Sequence, residues 1–166
     1  MADNEFLFSK TVFLTDTNAE GNVYFARYFD WQGMAREDYF RKAVPEHMQL
    51  MRSGVKLITV HSWLKYEHEA HLFDEILIKI RTISLKKMSM ELEFTYINKQ
   101  TNQVLAYGGQ KLAFAINSGE LVPVPAPIRA GAATCLIGEE DEAWHMHLEK
   151  KHPCREELIK EFAEKS

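Results

Sequence analysis

Two cysteines in 166 residues, Cys135 and Cys154, are too few to hold a disulfide framework, and they suit a reducing cytosol. Basic residues are not in excess. Twenty lysines and arginines stand against 24 aspartates and glutamates, a net charge of −4, which argues against nucleic-acid partners and anionic lipid. No apolar run approaches the ~18 residues that a membrane helix needs. The opening M-A-D-N-E-F-L-F lacks the charged and apolar regions of a signal peptide, so cytoplasmic residence is the expectation. There is no Gly-rich phosphate loop, no H-E-x-x-H and no Ser-His-Asp order, so nothing calls for a nucleotide, a zinc protease centre or a serine triad. The chain does have apolar residues, 46% of the total, enough for one domain with a core of its own.

Alternation and turn residues divide the chain. Glu5 to Leu14 reads as a strand, and Thr15 to Gly21, dense in Asp, Thr, Asn and Gly, reads as a turn. Asn22 is a candidate N-cap for a helix over Val23–Ala43. At 100° per residue, Tyr24, Phe25, Tyr28, Phe29, Trp31, Ala35, Tyr39 and Phe40 share one half of that helix, and Pro45 stops it. Four strands follow: Lys56 to Tyr66, Asp74 to Leu85, Met88 to Ile97 and Gln103 to Asn117. Gly108 and Gly109 in mid-strand predict a bulge or a close approach. The segment V-P-V-P-A-P, Val122 to Pro127, closes the sheet because proline cannot donate ladder bonds. Glu139 to Lys151 and Pro153 to Lys165 read as two short charged helices. The pattern is α+β: a five-stranded antiparallel sheet curled around one long helix.

Two polar side chains fall on the apolar half of that helix. Arg36 must meet Asp16, Glu37 or a ligand, because an unpaired buried guanidinium costs several kcal/mol. Gln32 poses the same choice at lower stakes, and Tyr28 can be core or substrate contact. Histidines are plentiful, but His145 and His147 are two apart, which on a helix points them to different faces. With no C-x-x-C beside His152 and Cys154, no metal and no cofactor is expected.

The run T-D-T-N-A-E-G-N-V-Y-F-A-R-Y-F-D-W-Q-G resembles the opening of hotdog-fold thioesterases of the 4-hydroxybenzoyl-CoA thioesterase type. The likeness continues at Tyr66, Ala70 and Asp74 and ends at the proline segment. It implies a hotdog domain over residues 1–128, with residues 129–166 a helical extension of it. Two positions depart from the pattern: the family's catalytic aspartate is Asn18 here, and a frequent histidine is Phe25. The combination of T-N with G-N-V-Y and W-Q-G looks most like thioesterases of enediyne polyketide pathways, which also carry Asn instead of Asp and release a polyene chain from an acyl carrier protein. In those, the residues matching Asn18 and Arg36 are the important polar groups.

The resemblance implies hydrolysis of an acyl thioester of carrier protein or coenzyme A by a homodimer or homotetramer. Asn18 has no useful basicity, so it would orient water or hold the thioester oxygen, though an Asn in such a turn can also be purely structural. The amides of Gly21, Asn22 and Val23, at the expected helix start, would form an oxyanion hole. Asp16, Tyr24 and Glu69 would border the pocket, and Lys86, Lys87 and Ser89 would border the pantetheine end or simply make a solvated turn. The rival expectation is a hotdog module that binds acyl thioesters without cleaving them.

Overall fold

The computed structural model describes residues 5–140. Five strands form the body of the sheet in the order β1-β3-β4-β5-β2, every neighbouring pair antiparallel. They are β1 (Phe6–Thr11), β2 (Lys56–Tyr66), β3 (Glu75–Leu85), β4 (Met90–Asn98) and β5 (Val104–Ala115). Two short strands extend the five that were expected. β6 (Leu121–Val122) pairs with β5, and β7 (Leu136–Glu140) runs parallel to β3.

The pleat decides which side chains form the core. Ile76, Ile78 and Ile80 of β3 and Leu92, Phe94 and Tyr96 of β4 are all buried, because alternate residues of a strand share a face. Helix α1 (Arg27–Ala43) packs on that face with Tyr28, Trp31, Ala35, Tyr39 and Phe40 buried. Removing one such aromatic ring costs ~3–5 kcal/mol. The Val44 amide caps the helix on the Phe40 carbonyl, and Pro45 follows. A one-and-a-half-turn helix, α2 (His47–Arg52), returns the chain to β2.

Helix α1 starts four residues later than expected, and Asn22 is not its cap. Asn22 forms a β-bridge with His71, and Thr17 forms one with Val23. These pairings hold the chain extended where composition suggested a helix, and Ala26 takes the N-cap position without a side-chain cap.

The expected end of the hotdog domain at residue 128 is not a break between elements. It falls inside α3 (Ala126–Ala133), whose Ile128 and Ala132 belong to the core. Glu139 and Glu140, expected to begin a helix, end β7 instead. The rest of the two expected tail helices, with His145, His147, His152 and Cys154, lies outside the described residues.

Candidate active site at the start of α1

The site is built where the segment between β1 and α1 meets the loop between β2 and β3. A 3₁₀ turn, Leu14–Asp16, leads in. Asp16 is buried; its Oδ2 accepts from the Phe13 amide at 2.9 Å and lies 3.2 Å from Lys10 Nζ. That carboxylate is committed to the turn and is not free to touch substrate. Asn18 follows in an Asx turn, its Oδ1 accepting from the Glu20 amide at 2.9 Å. Its carbonyl accepts from Gly21, which sits at φ +88°, a left-handed conformation that glycine adopts without strain. The Asn18 Nδ2 makes no hydrogen bond among the described residues.

Two of the three expected oxyanion donors are already engaged: the Gly21 amide bonds Asn18 and the Val23 amide bonds Ala70, while the Asn22 amide has no acceptor among the described residues. The next amide, Tyr24, bonds Asp16. The unpaired amides of the helix start lie one step on. Arg27 and Tyr28 donate to the carbonyls of Tyr24 and Phe25, while the amides of Phe25 and Ala26 have no acceptor among the described residues. The partial positive charge of the helix end therefore concentrates at Phe25 and Ala26. Tyr24 is nearly half exposed, with its ring against that of Phe25.

A cleft of ≈ 240 Å³ opens here. Its apolar wall is Val23, Phe25, Tyr28 and Tyr66, and its polar rim is Asn22, Glu67, His68 and Glu69. The Tyr28 ring is wedged among Trp31, Tyr66 and Tyr96. Burial pushes its phenol well above the ordinary range, so it stays protonated and can donate but not act as a base. The Tyr66 hydroxyl donates to the Phe25 carbonyl at 2.9 Å, tying the helix start to the end of β2.

The acids of the rim differ. Glu67 is paired with Lys65 at 2.6 Å, and that ammonium holds its carboxyl below the usual range. Glu69 accepts from Asn22 Nδ2 at 2.7 Å, and its other oxygen lies 3.8 Å from His71 Nε2. The Asn22 Oδ1 is buried without a partner among the described residues. His68 Nδ1 meets the Val104 carbonyl at 2.9 Å. A carbonyl only accepts, so that nitrogen carries the proton.

Arg36 lies elsewhere. It is eight residues past Tyr28, ~12 Å along the helix axis. Its Nη1 donates to Thr59 Oγ1 at 2.9 Å and to Gln110 Oε1 at 3.2 Å, and its Nη2 donates to Glu37 at 3.0 Å. Its Nε is buried without a partner among the described residues. Of the two carboxylates expected for it, Glu37 is the partner and Asp16 is not.

Gln32 is fully buried and spent on the scaffold. Its Oε1 accepts from Ser62 Oγ at 2.6 Å and Gln110 Nε2 at 2.8 Å, and its own amide reaches the Trp63 carbonyl at 3.5 Å. It holds α1 to β2 and β5 and is not a substrate contact. The close approach predicted at the glycine pair is this one: a Cβ on Gly108 would sit 2.5 Å from Gln32 Nε2.

Within one chain the structure thus gathers Asn22, Val23, Tyr28 and Glu69 at the cleft. Asn18 and Gly21 lie in the turn beside it, and Arg36 is not brought to Asn18. Lys86, Lys87 and Ser89 are farther still. They form the β3–β4 turn, closed by the Lys86 amide on the Ser89 carbonyl at 2.9 Å. That turn is at the other end of β3, ~33 Å from the Asn22–His71 bridge at ~3.3 Å per residue. Reasoning from sequence missed the rim residues Glu67 and His68 and the Tyr66–Phe25 tie. Adjacent polar residues in an irregular loop give no periodic signal.

The family model for the thioesterase-like superfamily matches residues 12–131. Among solved structures, the dynemicin thioesterase, described in connection with polyene binding, is similar at TM-score 0.77 and 28% identity, covering 81% of this chain and 99% of its own. A 1,4-dihydroxy-2-naphthoyl-CoA thioesterase from Synechocystis shares the fold at TM-score 0.70 and 18% identity, covering 78% and 96%. A gentisyl-coenzyme A thioesterase does so at 0.68 and 22%, covering 76% and 98%. No curated protein matches the chain by sequence.

Proposed function

Because this chain belongs to the thioesterase-like superfamily and is a thioester hydrolase with the hotdog fold, we propose that it releases a polyene or β-ketoacyl chain from an acyl carrier protein. The cleft at the start of α1 carries this reading. Two unpaired amides, Phe25 and Ala26, stand beside an apolar wall of Phe25, Tyr28 and Tyr66. Charge developing on the thioester oxygen is stabilised by such donors, each worth on the order of 100-fold in rate. Asn18 contributes its free Nδ2 as a further donor. Its Oδ1 is occupied by Glu20, so holding the oxygen suits it better than orienting water. The Tyr28 phenol, kept protonated, donates in the same cleft.

A substrate with an electrophilic carbonyl fits a site that lacks an acid at position 18, since a general base usually supplies about 10²- to 10⁴-fold. The 28% identity with the dynemicin thioesterase supports the choice of acyl chain.

The site is completed by a second copy of the chain. A cleft of 240 Å³ falls short of the ~300 Å³ at which pockets for sizeable ligands begin. Strand β2 is an edge of the sheet with Ile58, Val60, Trp63 and Tyr66 exposed. A long apolar edge is a pairing surface. Pairing there would set the Arg36 of one copy near the cleft of the other, in a dimer or a dimer of dimers. Lys86, Lys87 and Ser89 would then meet the carrier protein's acidic surface or the pantetheine arm.

The test is thiol release, followed with a chromogenic disulfide, from one acyl group presented on carrier protein and on coenzyme A. We expect kcat/KM at least tenfold higher on the carrier protein. Equal rates, or faster coenzyme A turnover, would overturn the choice of handle. Asn18→Ala should cost about 100-fold in kcat; an Asn18→Ala enzyme of unchanged kcat would remove Asn18 from the mechanism.

A further inference from the structure

With no carboxylate at position 18, the water that attacks the thioester lacks an obvious base. We propose that Glu69 is that base, a role that rests on the placement of the reaction at the α1 cleft. Three observations converge on it. Glu69 lines the same cleft as Phe25 and Tyr28. Of the two rim carboxylates, Glu67 is bound to Lys65, whereas Glu69 has no lysine or arginine partner among the described residues. The third concerns Asn22. Its Nδ2 fixes Glu69 at 2.7 Å, while its Oδ1 is buried with no donor among the described residues.

An unsatisfied buried acceptor costs about 1–3 kcal/mol. Held that way, the amide serves the orientation of Glu69 more than its own satisfaction. The amide aims a carboxylate at the mouth of the cleft and bears the cost. Two imidazoles neighbour it: His71 Nε2 lies 3.8 Å from the second Glu69 oxygen, and His68 is tied through Nδ1 to Val104 of β5.

The step balances without any co-reactant. A water O–H proton passes to the Glu69 carboxylate as the oxygen bonds the thioester carbon, and the carbonyl electrons move onto oxygen, facing the Phe25 and Ala26 amides. The oxyanion then collapses and the C–S bond breaks with its electron pair on sulfur. Glu69 returns its proton to the thiolate. Products are a free carboxylic acid and a thiol. Asn22 is a positioning residue in this scheme, acting only through Glu69.

The experiment is steady-state hydrolysis of one acyl-coenzyme A and one acyl-carrier-protein substrate by wild type, Glu69→Gln, Glu69→Ala, Asn22→Ala and His68→Asn. Glu69→Gln should lower kcat about 100- to 10,000-fold, with KM changed less than threefold, on both substrates alike. The effect on both handles keeps this test separate from the choice between them. Formate should restore part of the Glu69→Ala rate. Asn22→Ala should lower kcat about tenfold without lowering Tm, a split that a merely structural contact would not give. In a single turnover in ¹⁸O-water the label should enter the product acid and not the protein. Glu69→Gln within threefold of wild type, a comparable kcat loss confined to His68→Asn, or ¹⁸O recovered in Glu69 would each overturn the assignment.

Discussion

Gly108→Ala tests the polar ladder between α1 and the sheet. The added Cβ would lie 2.5 Å from Gln32 Nε2, 2.8 Å from Leu64 Cδ2 and 3.1 Å from the Trp63 carbonyl oxygen. A flexible side-chain end would ordinarily swing aside, but Gln32 is fully buried and accepts from both Ser62 and Gln110. Moving it breaks those bonds, at about 1 kcal/mol each. Overpacking adds about 1–3 kcal/mol. The sum, about 3–5 kcal/mol, should lower Tm by about 6–20 °C for a chain of this size.

Gln110 also holds Arg36, so kcat should fall with stability. Urea unfolding and calorimetry would measure the loss. The same substitution in a Gln32→Ala background should cost about 1–2 kcal/mol less, because the two sites are coupled through direct contact. A Gly108→Ala protein within 1 °C of wild type, or equal costs in the two backgrounds, would refute the reasoning.

Two smaller predictions accompany it. Tyr66→Phe removes the bond to the Phe25 carbonyl and should cost about 1 kcal/mol, with KM raised severalfold in a kinetic assay as the helix start loosens. Burial holds the His47 imidazole below its ordinary 6.5, with Glu37 opposing and Arg36 reinforcing the shift. Over the window between the folded value and 6.5 the unfolded chain binds more protons, so stability rises with pH there. It is undiminished above 6.5 and lost as pH falls. His47→Phe keeps the stacking on Phe40 and should flatten that slope in denaturation curves taken between pH 7 and 5.

What could be read from the sequence was whatever rests on local pattern. The period of two delimits β2 at Lys56 and Tyr66, and Pro45 marks the end of α1. The two polar residues on the apolar half of α1 were visible as anomalies, and both prove to be hydrogen-bonded, Gln32 at depth and Arg36 close to the surface. The helix start was misplaced because Asn22 is equally at home as a cap and in a bridge. Its choice is made by His71, 49 residues away. Ile58 and Val60 alternate as core residues do, yet both are exposed in the single chain, since periodicity reports that a face is covered without saying by what. The base proposed at Glu69 had no motif to announce it, because its value depends on an amide from a separate loop.

The two margins of this sheet are unlike. Along the outer side of β3, β1 covers Glu75 to Ile80 and β7 reaches Thr82 to Leu85, one antiparallel and the other parallel. A foreign strand laid against that side would meet two short templates of opposite polarity and could follow neither for long. The other margin is a single eleven-residue strand, β2. Growth by strand addition therefore has one usable direction, and a second copy that takes it consumes the template. Such a sheet can double, and the described residues offer no second template from which a fibre could continue.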